Sequence, residues 1–272
     1  MTLMLSHAVR TDRGLVRTGN EDAVYAGRRL LAVADGIGGH ISGEIASTAV
    51  IVALAALDHA DPGRDPLGAL TGAVETGNAA IRDLVARDRS LAGMGTTLTA
   101  VLFAGDRLAV VNIGDSRTYL VREGTCTQIT HDDSLVQKFV DAGRITAEQA
   151  RRHPRRSIIL RALTGGLGEQ PSGSLREARA GDRYLLCSDG LSDVVDDGTI
   201  AETLRMPDLD ACADRLIELA LDGGGPDNVT VVVADVRHTD RAAPVVRGLG
   251  NEAGVPPTRP LNGLGRRRWR TA

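Results

Sequence analysis

Four short apolar runs in this chain each adjoin an aspartate, and that arrangement constrains the fold more than any other feature. Leu30-Leu31-Ala32-Val33-Ala34 stops at Asp35-Gly36, and the run from Arg107 to Ile113 stops at Gly114-Asp115. Arg183 to Cys187 leads to Ser188-Asp189-Gly190, while Pro226-Asp227-Asn228 opens the run from Val229 to Val236. Apolar runs of this length, bounded by Gly, Asp and Pro, predict strands. An acid at each strand mouth lets carboxylates from distant parts of the chain converge.

Between the runs the periodicity changes. Gly43 to His59 and Pro66 to Arg87 read as helices, with Pro66 suited to a first turn. Thr96 to Phe103 and Arg107 to Ile113 predict a hairpin around Ala104-Gly105-Asp106. Ser134 to Arg152 turns helical, with capping-box spacing at Thr146 and Gln149, and Asp208 to Leu221 is a further helix. Strands, paired helices, then strands again argue for helices packed outside antiparallel sheets rather than alternating βαβ units.

The 272 residues suit one domain, residues 1–237, followed by a Pro/Gly/Arg-rich segment, 238–272, read as a disordered tail. Only 2% of residues are aromatic against 42% hydrophobic, so the expected interior is aliphatic. A net charge of -3 provides no overall basic field, and nucleic acid is not expected as a partner. Lys138 is the single lysine, which argues against P-loop, kinase and Schiff-base chemistry. Cys126, Cys187 and Cys212 form no C-x-x-C pair, pointing to a cytoplasmic protein without a disulfide framework. No apolar run approaches the roughly 18 residues of a membrane span, so a soluble chain is expected.

Carboxylates and backbone carbonyls are hard ligands that suit Mg²⁺ or Mn²⁺ better than zinc. Two such ions about 3.5–4 Å apart can share a water, lower its pKa and hold phosphate oxygens. Arg17 is the candidate guanidinium for gripping a phosphate bidentately. The same acids are also ordinary turn residues, since Asp-Gly and Gly-Asp punctuate loops. Spacing alone leaves both readings open.

The motifs themselves are Arg17-Thr18-Gly19-Asn20-Glu21-Asp22, Val33-Ala34-Asp35-Gly36-Ile37-Gly38-Gly39-His40 and Gly93-Met94-Gly95-Thr96-Thr97. They continue with Asn112-Ile113-Gly114-Asp115-Ser116-Arg117, Leu186-Cys187-Ser188-Asp189-Gly190-Leu191 and Pro226-Asp227-Asn228-Val229-Thr230. In this order, from about Leu5 to Val236, the chain resembles the metal-dependent serine/threonine protein phosphatases of type 2C in their bacterial form. The resemblance implies an α+β fold, a four-layer α-β-β-α sandwich of two antiparallel sheets flanked by helices. It implies hydrolysis of phosphoserine and phosphothreonine in proteins by direct attack of a water held between two Mn²⁺ or Mg²⁺ ions. A Hanks-type kinase is the implied opponent. A non-catalytic, phosphoprotein-binding member of the same fold is the alternative, and loss of a metal acid would favour it.

By the same resemblance Asp35 bridges both ions, the Gly36 carbonyl binds one, and Asp189 and Asp227 hold the other. Asp115 with Asp189 makes a possible third site, Asp22 orients water from behind, and Arg17 holds the phosphate. Thr96 and Thr97 are expected to serve packing and hydrogen bonding, and His40 a structural or turn role. Ile37 stands where some members carry a histidine general acid, and Asp132-Asp133-Ser134 where Asp-His-Ser is usual. Residues 131–168 match the family's flap, whose Arg151, Arg152, Arg155, Arg156 and Arg161 suit either acidic partners or a solvated surface. Cys187 lacks the arginine six positions on that a cysteine phosphatase needs, Asp193 standing there instead, and is expected to be a buried strand residue. Asp208-Leu209-Asp210 lacks the context of an aspartyl-phosphate enzyme, so no covalent intermediate is expected.

Overall fold

The computed structural model describes residues 2–38, 41–239 and 249–250. His40 and most of 238–272 lie outside the described residues. Strands β1 (Thr2–Asp12), β2 (Ala23–Ala26), β3 (Leu30–Ala34) and β4 (Gly36–Ile37) lead into helices α1 (Ile41–Ala55) and α2 (Pro66–Arg87). Next come β5 (Gly95–Thr96), β6 (Leu98–Ala104), β7 (Arg107–Ile113), β8 (Arg117–Arg122) and β9 (Thr125–Gln128), then helices α3 (Leu135–Asp141) and α4 (Ala147–Arg151). Strands β10 (Ser172–Glu177) and β11 (Arg183–Cys187) follow, then helices α5 (Asp189–Ser192), α6 (Asp197–Thr203) and α7 (Leu209–Asp222), and finally β12 (Val229–Thr239) and β13 (Leu249–Gly250).

The long strands form two antiparallel sheets, one ordered β1-β12-β11-β8-β9 and the other β10-β7-β6-β3-β2-β13. Strand side chains alternate between faces, and here both faces are covered, which explains the near-continuous apolar runs. In β3, β6 and β7 one alternate set, including Leu31, Val33, Val101, Phe103, Leu108 and Val110, meets Tyr184, Leu186, Val232 and Val236 of the other sheet. The opposite set, including Leu30, Leu102 and Val111, packs under α1 and α2. Leu185, Cys187, Val231 and Val233 pack against α5, α6 and α7. The result is the four-layer sandwich, helices outside and two sheets within.

Local chemistry sets the element ends. Asp65 caps α2 by accepting from Gly68 N, and Leu70, Val74, Asn78 and Ile81 bury one helical stripe. Gly77 lies at the α1 crossing, where an added Cβ would sit 3.0 Å from the Val50 Cα. The expected Gly43–His59 helix begins earlier, at Ile41, and gives way after Ala55 to a 3-10 turn, Ala56–Asp58. That turn brings the Asp58 carboxylate to the backbone N–H groups of Arg29 and Leu30 at 2.7 and 3.0 Å. The expected Thr96–Phe103 strand is broken at Thr97, whose N–H donates to Asp35 O at 2.9 Å. The helical stretch 134–152 divides into α3 and α4 at Gly143, with φ +64, and Thr146 and Gln149 do form the capping box.

Candidate active site

Strand ends bring the acids to one end of the sandwich. Asp35 follows β3, Asp115 lies between β7 and β8, Asp189 opens α5 just beyond β11, and Asp227 precedes β12. Each is held by its backbone. Asp35 N donates to Thr97 Oγ1 at 3.1 Å, and Thr96 Oγ1 donates to Asp35 O at 2.9 Å, so both threonines have the structural role expected of them. Gly190 lies so close to β12 that an added Cβ would fall 1.9 Å from Asn228 O. Gly36 is equally confined, 2.4 Å from Gly43 O by the same measure.

Asp22 is fully buried and Asp115 nearly so, while Asp35 and Asp189 keep partial contact with solvent. Burial, then the charges of Asp22, Asp189, Asp115 and Asp227, pushes Asp35 well above the ordinary carboxylate range. Burial and the charges of Asp115, Asp193 and Asp227 do the same to Asp189. Asp115 is raised to about 7 by burial and by Asp132 and Asp193. Asp22 is raised to about 6, chiefly by burial, against a hydrogen bond from Ser188 Oγ at 2.8 Å. Asp35 and Asp189 each feel the charge of other acids at this end of the sandwich. Asp22 Oδ1, Asp115 Oδ1 and Asp189 Oδ1 are buried and accept no hydrogen bond.

Buried like charges with unsatisfied oxygens are what a hard divalent cation would neutralise, so the donor set fits the expected ions. Among the described residues no three His, Cys, Asp or Glu side chains are close enough to hold an ion as they stand. The set is therefore a group of donors at one end of the sandwich rather than a closed cage.

Arg17 reaches this region from the 13–19 loop, where Nη2 donates to Asp227 Oδ2 at 2.6 Å. Three groups lie outside the sequence reading. Asn228 accepts from Glu21 N at 2.8 Å and donates to Arg13 O and Gly19 O at 2.9 and 2.8 Å, stapling the Arg17 loop to β12. Asp193 closes the turn of α5, its N–H on Asp189 O at 2.8 Å, and pairs with Arg156 of the flap at 3.1 Å. Its spacing of four from Asp189 was the available signal. Arg117 grips Asp132 through Nε and Nη2 at 2.9 and 2.7 Å.

Asp133, at the position of the usual histidine, accepts from Gly114 N at 3.2 Å and from Arg161 at 3.0 Å. Arg152 pairs with Glu148 at 3.4 Å. Three of the five flap arginines therefore have partners within the chain while their side chains stay part-exposed. Cys187 is a buried strand residue, its thiol pushed up to about 12 chiefly by burial.

The family model described as Protein phosphatase 2C matches residues 16–218. The chain belongs to the protein phosphatase 2C family. It is 62% identical over 250 residues to the serine/threonine protein phosphatase PstP of Mycobacterium tuberculosis, covering 91% of this chain and 48% of PstP. This 2C chain thus spans about half the length of the curated relative it matches. The crystal structure of the M. tuberculosis serine/threonine phosphatase PstP/Ppp superposes with a TM-score of 0.84 at 63% identity, covering 86% of this chain and all (100%) of that one. The PstP catalytic domain in complex with two manganese ions gives 0.83 at 62% identity, covering 87% and 100%. Every acid that the 2C resemblance requires is present, so the feature that would favour a non-catalytic member is missing.

Proposed function

We propose that this chain is a metal-dependent hydrolase of phosphoserine and phosphothreonine in proteins. The observation that carries the reading is that Asp22, Asp115 and Asp189 each bury a hydrogen-bond-free oxygen at the end of the sandwich that also holds Asp35, Asp227 and Arg17. Asp35, the Gly36 carbonyl, Asp189 and Asp227 would hold two Mn²⁺ or Mg²⁺ ions, and Asp115 with Asp189 a third. When bound, such ions neutralise phosphate charge and lower the pKa of the attacking water. The manganese pair in the PstP catalytic domain supports this assignment.

The chain's own groups do the rest. Arg17, half-exposed and held by a single carboxylate, can exchange Asp227 for a phosphate in the fork geometry that guanidinium favours. Asp22, fixed by Ser188 Oγ, sits behind the region to orient water. Ile37, beside Gly36, carries no transferable proton, so it cannot serve as a general acid for the leaving alkoxide. Among the described residues Cys187 is not placed for a covalent step, since it is buried and Asp193 stands where a phosphate-cradling arginine would be needed.

We place the activity in the cytoplasm, on phosphoproteins made by a Hanks-type kinase. The free state of Cys126, Cys187 and Cys212 and the absence, among the described residues, of a helix long and apolar enough to cross a membrane support that setting. The test is phosphate release from a phosphothreonine peptide with Mn²⁺, with Mg²⁺ and with EDTA, alongside Asp35→Ala and Asp189→Ala. Turnover should require metal and disappear in both folded variants. Wild-type rates in either variant would remove the assignment.

A further inference from the structure

Seven large apolar side chains are exposed among the described residues, and five of them, Leu15, Val16, Ile158, Leu160 and Leu167, lie on the Arg17 loop or the flap. Leu15 and Val16, 67% and 68% exposed, immediately precede Arg17. Their loop is stiff. Leu15 N donates to Gly225 O at 2.8 Å, and Asn228 Nδ2 holds the carbonyls of Arg13 and Gly19. Gly14, at φ +77, is pressed so close to the backbone below that an added Cβ would fall 2.2 Å from Asp227 O. The backbone of Gly225 and Asp227 fills the space beneath Gly14, and the Leu15 side chain lies over Gly225.

Two neighbouring apolar groups held rigidly in water lose the favourable burial open to a mobile loop. Their position, adjoining the guanidinium offered to a phosphate, supplies the occupant. A phosphorylated residue gripped by Arg17 carries its chain neighbours across the same loop. We infer that Leu15 and Val16 form a subsite for an apolar side chain next to the phosphorylated residue. The enzyme therefore selects phosphothreonine and phosphoserine flanked by Leu, Ile or Val. This rests on the phosphatase reading and specifies its substrate class. The flap pair Ile158 and Leu160 is tied to the Asp115 side, through Leu160 N on Asp133 O at 2.7 Å, and serves as the comparison surface.

The experiment compares kcat/KM for two phosphothreonine peptides that differ only in having Leu or Ser beside the phosphoresidue. Hydrolysis of p-nitrophenyl phosphate, which has no flanking residues, is measured in parallel. Wild type should favour the Leu peptide about fivefold, and Leu15→Ser/Val16→Ser should bring the ratio close to one. Val16→Ser alone, at a mostly exposed side chain, should lower it part-way. A wild-type ratio near one, a ratio preserved in the double variant, or a loss appearing instead in Ile158→Ser/Leu160→Ser would overturn the assignment. So would light scattering showing a wild-type dimer that the double variant dissolves, since the patch would then serve a second copy. Normal p-nitrophenyl phosphate turnover with no peptide preference would sink the subsite and leave the phosphatase standing; no turnover of either substrate would sink both.

Discussion

Asp22, Asp115 and Asp189 each bury an oxygen that accepts no hydrogen bond, and uncompensated burial of this kind opposes folding. Removing the charge from one of them should therefore stabilise the protein when no divalent ion is available. Asp189→Asn is expected to raise the Tm measured in EDTA by about 2–4 °C for each kcal/mol of relieved repulsion, and to abolish most of the rise that Mn²⁺ produces in wild type. An unchanged Tm in EDTA would show that Asp189 is not strained. Arg17→Ala should act differently, raising KM with a smaller effect on kcat, because a lost phosphate grip weakens ground-state binding first; an unchanged KM would take Arg17 out of that role. Asp35, Asp115, Asp189 and Asp227 stand out in the sequence because each adjoins a short apolar run, whereas Asp22 is singled out only by the family resemblance. The stapling role of Asn228 could not be read from sequence, because it depends on a partner some 215 residues away.

Single side chains also fasten whole elements. Asn228 is buried and satisfies three backbone groups of the 13–21 segment. Its replacement by Ala should cost about 2–3 kcal/mol in urea unfolding and raise KM as the Arg17 loop loosens, whereas stability within a few tenths of wild type would mean that water replaces the amide. Asp182 joins the end of β8 to the start of β11. Burial pushes its carboxyl up, but hydrogen bonds from Arg122, both at 2.7 Å, and from Arg179 N outweigh this and leave it below the usual range. A carboxyl depressed in the folded state stabilises above its unfolded pKa of about 3.9 and loses that contribution as pH falls through the folded value. Between pH 6 and 3, Asp182→Asn should start with a lower Tm and decline less than wild type; parallel curves would refute the coupling. Strands β3, β7 and β11 and helix α2 lie where the sequence patterns put them, because burial on both faces or on one helical stripe leaves continuous or periodic apolar residues. Strands β9 and β10 escaped notice because they are sheet edges with sequences as polar as Thr125–Gln128 and Ser172–Glu177. Strand β1 escaped because Ser6, His7 and Arg10 interrupt its apolar alternation.

At the scale of the whole molecule, the two sheets contribute acids to a common end, so the spacing of the carboxylates is set by how the sheets stack. The β1–β12 ladder runs the full length of one of those sheets, pairing Thr2 with Thr239 and Asp12 with Val229. Its Asp12 end lies at the carboxylates. The Thr2 end lies roughly 33 Å away, at ten steps of about 3.3 Å, with the two backbones only about 5 Å apart. A short Gly/Ser bridge from Thr239 back to Thr2, with new termini cut at the exposed turn beside Gly63, should give a folded permutant with wild-type kcat/KM on p-nitrophenyl phosphate; an unfolded or inactive permutant would show that order of synthesis matters after all. The same geometry makes the Thr2–Thr239 edge a handle. A label, surface tether or fused protein attached there would project from the pole opposite the carboxylates and Arg17.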